Sequence, residues 1–162
     1  MFKLCALLFI AWNFFVQDQA SLPSDLSIIK NYDLGLAEAK KTNRPIFLLF
    51  TGTQCSNNKK VQDLILQNPS IQKTLKENYV TIWLYVDDPT PLAEPIWTEH
   101  EGRNVQLRTY GERWAMLEMQ QFGCNMQPYA ILLNHEGEKL QAAKSYAYLK
   151  EHFQEYLLEG LN

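Results

Sequence analysis

The chain has 162 residues, 46% hydrophobic and 20% charged, a balance that suits one globular core and excludes disordered or collagen-like chains. Its formal charge of -3 offers no basic field, and no Lys/Arg stripe falls on any expected helix, so nucleic acid is not an expected partner.

Residues 1-20, MFKLCALLFIAWNFFVQDQA, join one lysine to an apolar run from Leu4 to Val16 and then turn polar, which reads as a secretory signal peptide cleaved after Ala20. The run is short for a membrane span and is interrupted by Asn13; a retained N-terminal anchor is the alternative. Either way residues 21-162 form a single domain that faces an oxidising compartment, secreted or periplasmic. Cleavage removes Cys5 and leaves Cys55 and Cys124, which allow one disulfide or two thiols.

Asp33 is placed to cap a short helix through LGLAEAKK, which Pro45 stops. Ile46 to Phe50, IFLLF, is continuously apolar and five residues long, the pattern of a central strand buried on both faces. Gly52 allows a tight turn. From Ser56 to Gln67, Val61, Leu64 and Ile65 fall at helical spacing. Asn68, Pro69 and Ser70 break that helix, and Ile71 with Leu75 supports a second. Val80 to Val86, rich in β-branched and aromatic residues, reads as a strand ended by Asp87, Asp88 and Pro89.

Over 89-110, two extended runs flank the turn signal HEGRN, so a hairpin or loop is inserted in the fold, with Trp97 expected to pack against the domain. Glu112 to Phe122 is an expected helix closed by Gly123. After CNMQP come a strand YAILL, a turn at Gly137 and a second strand around 139-143. Leu149, Phe153, Tyr156 and Leu157 then repeat at i, i+4, i+7 and i+8, the signature of a closing amphipathic helix. This order predicts an α/β fold: a mixed central sheet between helical layers, the first two strands parallel and the last two antiparallel.

Cys55 directly follows a strand and opens a helix, where unpaired backbone N–H groups and the helix dipole favour an anion. Its thiolate is the nucleophilic form, and Lys59 and Lys60 one turn on add modestly to its stabilisation. A free cysteine also serves as a small buried hydrophobe. Here the neighbours Thr51, Gly52, Thr53, Gln54, Ser56 and Asn57 are polar and turn-forming, which favours a working thiol. His100, His135 and His152 are scattered, no zinc-ligand spacing occurs, and no Gly-rich phosphate loop is present, so neither a metal nor a cofactor is expected. The adjacent carboxylates Asp87 and Asp88 read as solvated strand-end residues.

Taken together, RPIFLLFTGTQCSNNKKV, NPSIQKTLKENYVTIWLYVDD, QFGCNMQPYAILLNHEGEKL and the closing helix resemble thioredoxin-like proteins, nearest to the C-terminal thioredoxin domain of the thiol:disulfide interchange protein DsbD and its free-standing bacterial relatives. The resemblance implies a thioredoxin-like three-layer sandwich. It aligns Cys55 with the attacking cysteine of a Cys-x-x-Cys pair and Pro128 with a cis-proline that faces it, so that Gln127 and Pro128 bind substrate. Two departures stand out. Asn58 occupies the position of the resolving cysteine, giving CxxN, and Leu49 occupies that of a buried acid thought to handle the resolving thiol's proton. Losing both is coherent, because a buried carboxylate without that thiol only costs desolvation.

The expected activity is therefore thiol-disulfide exchange on protein thiols or disulfides by a monothiol centre, as a reductase or isomerase-like protein, with a membrane-bound thiol-disulfide donor as a further implied partner. Ser56, Asn57, Asn58 and Lys59 form the active-site helix turn. Cys124, four residues before Pro128, could resolve Cys55, lock it in a disulfide, or simply fill a small space. The alternative is a redox-inactive binding or chaperone-like module that kept the groove.

Overall fold

The computed structural model describes residues 26–54 and 56–162. The expected signal peptide and Cys55 lie outside the described residues.

Four strands form the main sheet in the order β1-β3-β2-β6: β1 (Ile28–Ile29), β2 (Ile46–Thr51), β3 (Val80–Tyr85) and β6 (Tyr129–Leu133). The strands β2 and β3 run parallel, with Leu48 opposite Ile82, whereas β6 runs antiparallel to β2, with Leu48 opposite Ile131. The sheet is mixed, as the order of elements requires. Every residue of β2 is buried, because alternate side chains serve two cores. Phe47 and Leu49 pack with Val61, Ile65, Leu75, Phe153 and Tyr156, under helices α2 (Ser56–Leu66), α3 (Pro69–Asn78) and α5 (Tyr146–Glu159). Ile46, Leu48 and Phe50 pack with Tyr32, Ala39, Trp114 and Phe122, under α1 (Tyr32–Thr42) and α4 (Tyr110–Leu117). Each fully buried Val, Leu, Ile or Phe among them contributes about 1.5–3 kcal/mol by leaving water.

Local signals account for the helix ends. Asn31, rather than Asp33, caps α1: its side chain accepts from Leu34 N, while Asp33 sits in the first turn and pairs with Arg113 at 2.7 Å. Asn68 caps α3, with Pro69 at the first helical position, where its missing N–H costs nothing. Thr109 and Glu112 form a reciprocal capping box that starts α4. The helix expected to run on to Phe122 changes character at Glu118, and residues Glu118–Phe122 form a π-helical turn ended by Gly123 at φ 70°. The second strand expected near 139-143 is reduced to two antiparallel bridges, Leu133 with Lys139 and Ala130 with Lys144. Leu140 N and Lys144 N each donate to β6 carbonyls, but no continuous ladder forms.

The insertion is a two-stranded ribbon, β4 (Pro91–His100) and β5 (Arg103–Thr109), turned at Glu101 and Gly102, both with positive φ. Its base is closed where Tyr110 N donates to Thr90 O and Gly111 N to Asp88 O. Ile96, Thr98 and Leu107 face Trp114 and Met116 across a shallow cleft. Trp97 lies between Ile96 and Thr98 on the strand, so it projects from the opposite face and is 66% exposed. The expectation that it packs on the domain is overturned by this alternation.

The ribbon's base also fixes the identity of Gly111, since a Cβ there would lie 2.6 Å from Asp88 N and 2.8 Å from Val86 O. Those atoms are backbone and cannot swing aside. Gly111→Ala is expected to lower stability by about 1–3 kcal/mol, read as an earlier urea midpoint with an unchanged slope.

Candidate functional site

At the C-terminal end of β2, Gly52 makes the turn toward α2 within a confined polar space: a Cβ at this position would meet Asn58 Nδ2 at 3.2 Å and Asp87 Oδ2 at 3.3 Å. Thr53 donates to Asp87 Oδ2 through both its backbone N and its Oγ1, each at 2.7 Å. One carboxylate oxygen thus fixes the start of the Thr53–Cys55 connection. Asp87 is exposed, as expected of a strand-end acid, but it also has this positioning role, which the sequence reading did not assign. Below the same turn, Thr51 is fully buried and its Oγ1 accepts from Gln62 Nε2 at 3.0 Å.

Ser56, Asn57, Asn58 and Lys59 form the first turn of α2. Asn58 is only 2% exposed, and its Oδ1 has no hydrogen-bond partner among the described residues. A polar amide occupies the interior position where the resemblance places a second thiol. Lys59 pairs with Asp63 at 3.2 Å, and Lys60 donates to Asn57 Oδ1 at 3.4 Å while lying over the Tyr146 ring. The charge of Lys59 is therefore partly committed to its own helix. Leu49, where the resemblance places a buried acid, is fully buried within the first core.

Across from this turn runs the Cys124–Pro128 loop, and the Gln127–Pro128 peptide bond is cis. An open groove of about 480 Å³ brings Asn57 of α2 together with Cys124, Met126, Gln127 and Pro128. Tyr129, Ala143, Tyr146 and Ala147 extend its lining, which is mainly apolar, and Met126 is 72% exposed at its border. Cys124 is a free thiol of intermediate exposure. Its sulfur accepts from Met126 N at 3.5 Å. The structure thus gathers Asn57, Cys124, Gln127 and Pro128 on one groove, with Asn58 buried in the same helical turn.

Glu118 is the functional candidate that sequence reasoning missed. It is fully buried on the π-helical turn and its Oε2 accepts from Gln127 Nε2 at 2.6 Å. Its Oε1 has no hydrogen-bond partner among the described residues. Burial pushes its carboxyl up to about 7, against the smaller opposing effects of Gln127 and the Cys124 thiol. A signal existed: Trp114, Glu118 and Phe122 recur at i, i+4 and i+8, and both aromatic partners are buried, so the acid shares an interior face. No group of three His, Cys, Asp or Glu side chains is arranged for a metal among the described residues.

The raised Glu118 value carries a sign for stability. Between its ordinary value of 4.5 and about 7, the folded protein holds a proton that the unfolded chain releases. Stability therefore falls as pH rises through that window, and the loss is complete above it. Glu118→Gln, which keeps an acceptor for Gln127, is expected to flatten this slope and to gain about 1–3 kcal/mol above neutral pH, measured by urea unfolding across the window.

Among solved structures, the chain is similar to a thioredoxin from Thermus thermophilus, with 15% identity, coverage of 83% of this chain and 85% of that one, and a TM-score of 0.57. It is also similar to the DsbH oxidoreductase, with 19% identity, coverage of 82% and 88%, and a TM-score of 0.52. At these identities the likeness is one of fold. No curated protein sequence matches the chain significantly. Residues 32–160 match the thioredoxin-like domain family. With the mixed sheet between two helical layers and the match over most of its length, the chain belongs to the thioredoxin-like domain family.

Proposed function

We propose that this protein carries out thiol-disulfide exchange on protein substrates through Cys55, as a DsbD-like monothiol centre of sequence CxxN. The observation that supports this most is the groove that sets the first turn of α2 beside Gln127 and Pro128, with a buried amide, Asn58, in place of a second helix thiol. A substrate strand lies along the Cys124–Pro128 loop by edge pairing, its apolar side chains against Met126 and Tyr146. The Cys55 thiolate attacks one sulfur of the substrate disulfide, the other sulfur leaves as thiolate, and a mixed disulfide results. Asn58 has no sulfur to complete an internal release from the helix, so the mixed disulfide persists until a second thiol attacks it. That thiol comes from the substrate itself, which gives isomerisation, or from an external donor, which gives reduction. In this reading the protein is exported after removal of residues 1-20 and meets a membrane-bound thiol donor there.

The test is acid trapping followed by non-reducing separation. The mature protein is expected to yield mixed disulfides with a reduced-and-scrambled protein substrate, Cys55→Ser to yield none through this site, and Asn58→Cys to shorten their lifetime by restoring internal attack. Equal exchange by the mature protein and Cys55→Ser, with substrate binding unchanged, would sink the reading in favour of a redox-inactive binding module.

A further inference from the structure

The groove beside Gln127 and Pro128 carries a charge that the exchange step assigned to Cys55 leaves unused. Lys144 lines it, half-buried, on the segment that bridges to β6. Its backbone N donates to Ala130 O at 3.0 Å, and its ammonium lies 4.4 Å from the centre of the Tyr148 ring and 6.0 Å from that of Tyr156. A second hollow, of about 440 Å³, lies between α2 and α5 and shares Tyr146 with the groove as a wall. Lys60 and Lys150 line this hollow. Lys60 is held over the Tyr146 ring at 5.8 Å and donates to Asn57 Oδ1 at 3.4 Å.

The acids do not match these cations. No Asp or Glu lines the groove among the described residues, and the acid of the second hollow, Asp63, is already paired with Lys59 at 3.2 Å. Lys60, Lys144 and Lys150 have no carboxylate partner among the described residues, in a chain whose formal charge is -3. Ring faces hold an ammonium in place without cancelling its charge. An ammonium partly withdrawn from water interacts more strongly with a carboxylate brought to it than one in bulk solvent does. Lys144 is therefore a positioned, unneutralised cation on the wall of an apolar groove.

We infer that the groove selects protein substrates whose reacting cysteine stands beside an apolar residue and is flanked by acidic ones. The apolar side chain lies against Met126 and Tyr146, and the carboxylates meet Lys144 in the groove and Lys60 and Lys150 beyond Tyr146. This rests on the reading of the groove as the seat of a protein substrate and adds which substrates it takes. The occupant is an extended segment, because the Cys124–Pro128 loop offers backbone for edge pairing and only a chain of several residues reaches both hollows. Exposed ion pairs are individually weak and are screened by salt, so their effect is a preference among substrates.

The test reads binding without sulfur chemistry. The full chain carrying Cys55→Ser is titrated into peptides bearing a neutral dye, each with a serine in place of the cysteine beside a leucine, and differing only in flanks of glutamate, glutamine or lysine. Fluorescence anisotropy gives the dissociation constants. The glutamate peptide is expected to bind about tenfold more tightly than the glutamine peptide at low salt, as a few weak ion pairs supply, and the gap to close as salt rises. Lys60→Gln together with Lys144→Gln is expected to bring the two constants together. Lys60→Glu together with Lys144→Glu is expected to transfer the preference to the lysine peptide, a gain that damage to the fold does not produce. Lys41→Gln removes the same charge from α1, which packs on the other face of the sheet, and is expected to leave the gap as it is. Equal affinity for the glutamate and glutamine peptides at low salt would overturn the inference. So would a gap that survives the paired Gln variants or that Lys41→Gln removes as well, or oxidised glutathione bound as tightly as the glutamate peptide. No thiol takes part, so the two readings fail separately: lost trapping with the preference intact counts against exchange alone, and trapping without a preference counts against this inference alone.

Discussion

The requirement that β2 be covered on both faces governs everything else in this domain. Six consecutive buried residues leave no side of the strand for water, so the chain must supply one helical layer above it and another below. Once α2, α3 and α5 occupy one face and α1 and α4 the other, the polar business of the protein is pushed to the end of the strand. There the backbone leaves the sheet at Gly52, the first turn of α2 begins with N–H groups that have no partner within the helix, and the loop preceding β6 arrives alongside. The groove is a product of topology, with its chemistry added by a few side chains.

Those side chains redistribute a burden that this fold can carry in more than one place. Leu49 keeps the middle of β2 apolar, and Asn58 puts an amide in the interior turn of α2. Meanwhile a carboxylic acid enters the interior from a separate element, the π-helical turn after α4, and leans on the loop that carries Cys124 and Gln127. The widened turn matters here: π-helical turns are uncommon and recur at functional positions, because the extra residue re-aims the side chains that follow it. Desolvating an acid is costly, and here a hydrogen-bond donor, Gln127, offsets part of the loss.

Much of this architecture was legible in the residues. The apolar run of β2, the helical spacing of Val61, Leu64 and Ile65, and the repeat ending in Tyr156 and Leu157 each reported burial directly, since periodicity and burial have the same cause. The approach of the Cys124–Pro128 loop to α2 followed from family resemblance and not from spacing, because segments seventy residues apart carry no local sign of contact. Other features escaped, beyond the Asn31 cap and the role of Asp87. Trp97 was assigned inward from the average behaviour of tryptophan, whereas its facing is decided by which neighbours, Ile96 and Thr98, take the inner side of the ribbon. The weak pairing of residues 139–144 depends on where the chain crosses β6, which no strand propensity encodes. Glu118 was passed over because an acid within a helix is normally read as solvent-facing, even with Trp114 and Phe122 marking its face as interior.

The closed base of the ribbon has a consequence for how the domain folds and varies. The chain leaves the two-layered core just after β3 at Asp88 and returns to it in the first turn of α4 at Gly111, and the two points are joined by a hydrogen bond of 3.0 Å. To the core, the intervening segment is a loop whose ends already touch, and the entropy of closing such a loop grows only with the logarithm of its length. Each doubling costs roughly 0.6 kcal/mol, so length at this point is nearly decoupled from the integrity of the two cores. The ribbon is thus a place where the chain can lengthen, shorten or change its outward face, so long as its closed base, one residue beyond the Asp87 that holds Thr53, is kept.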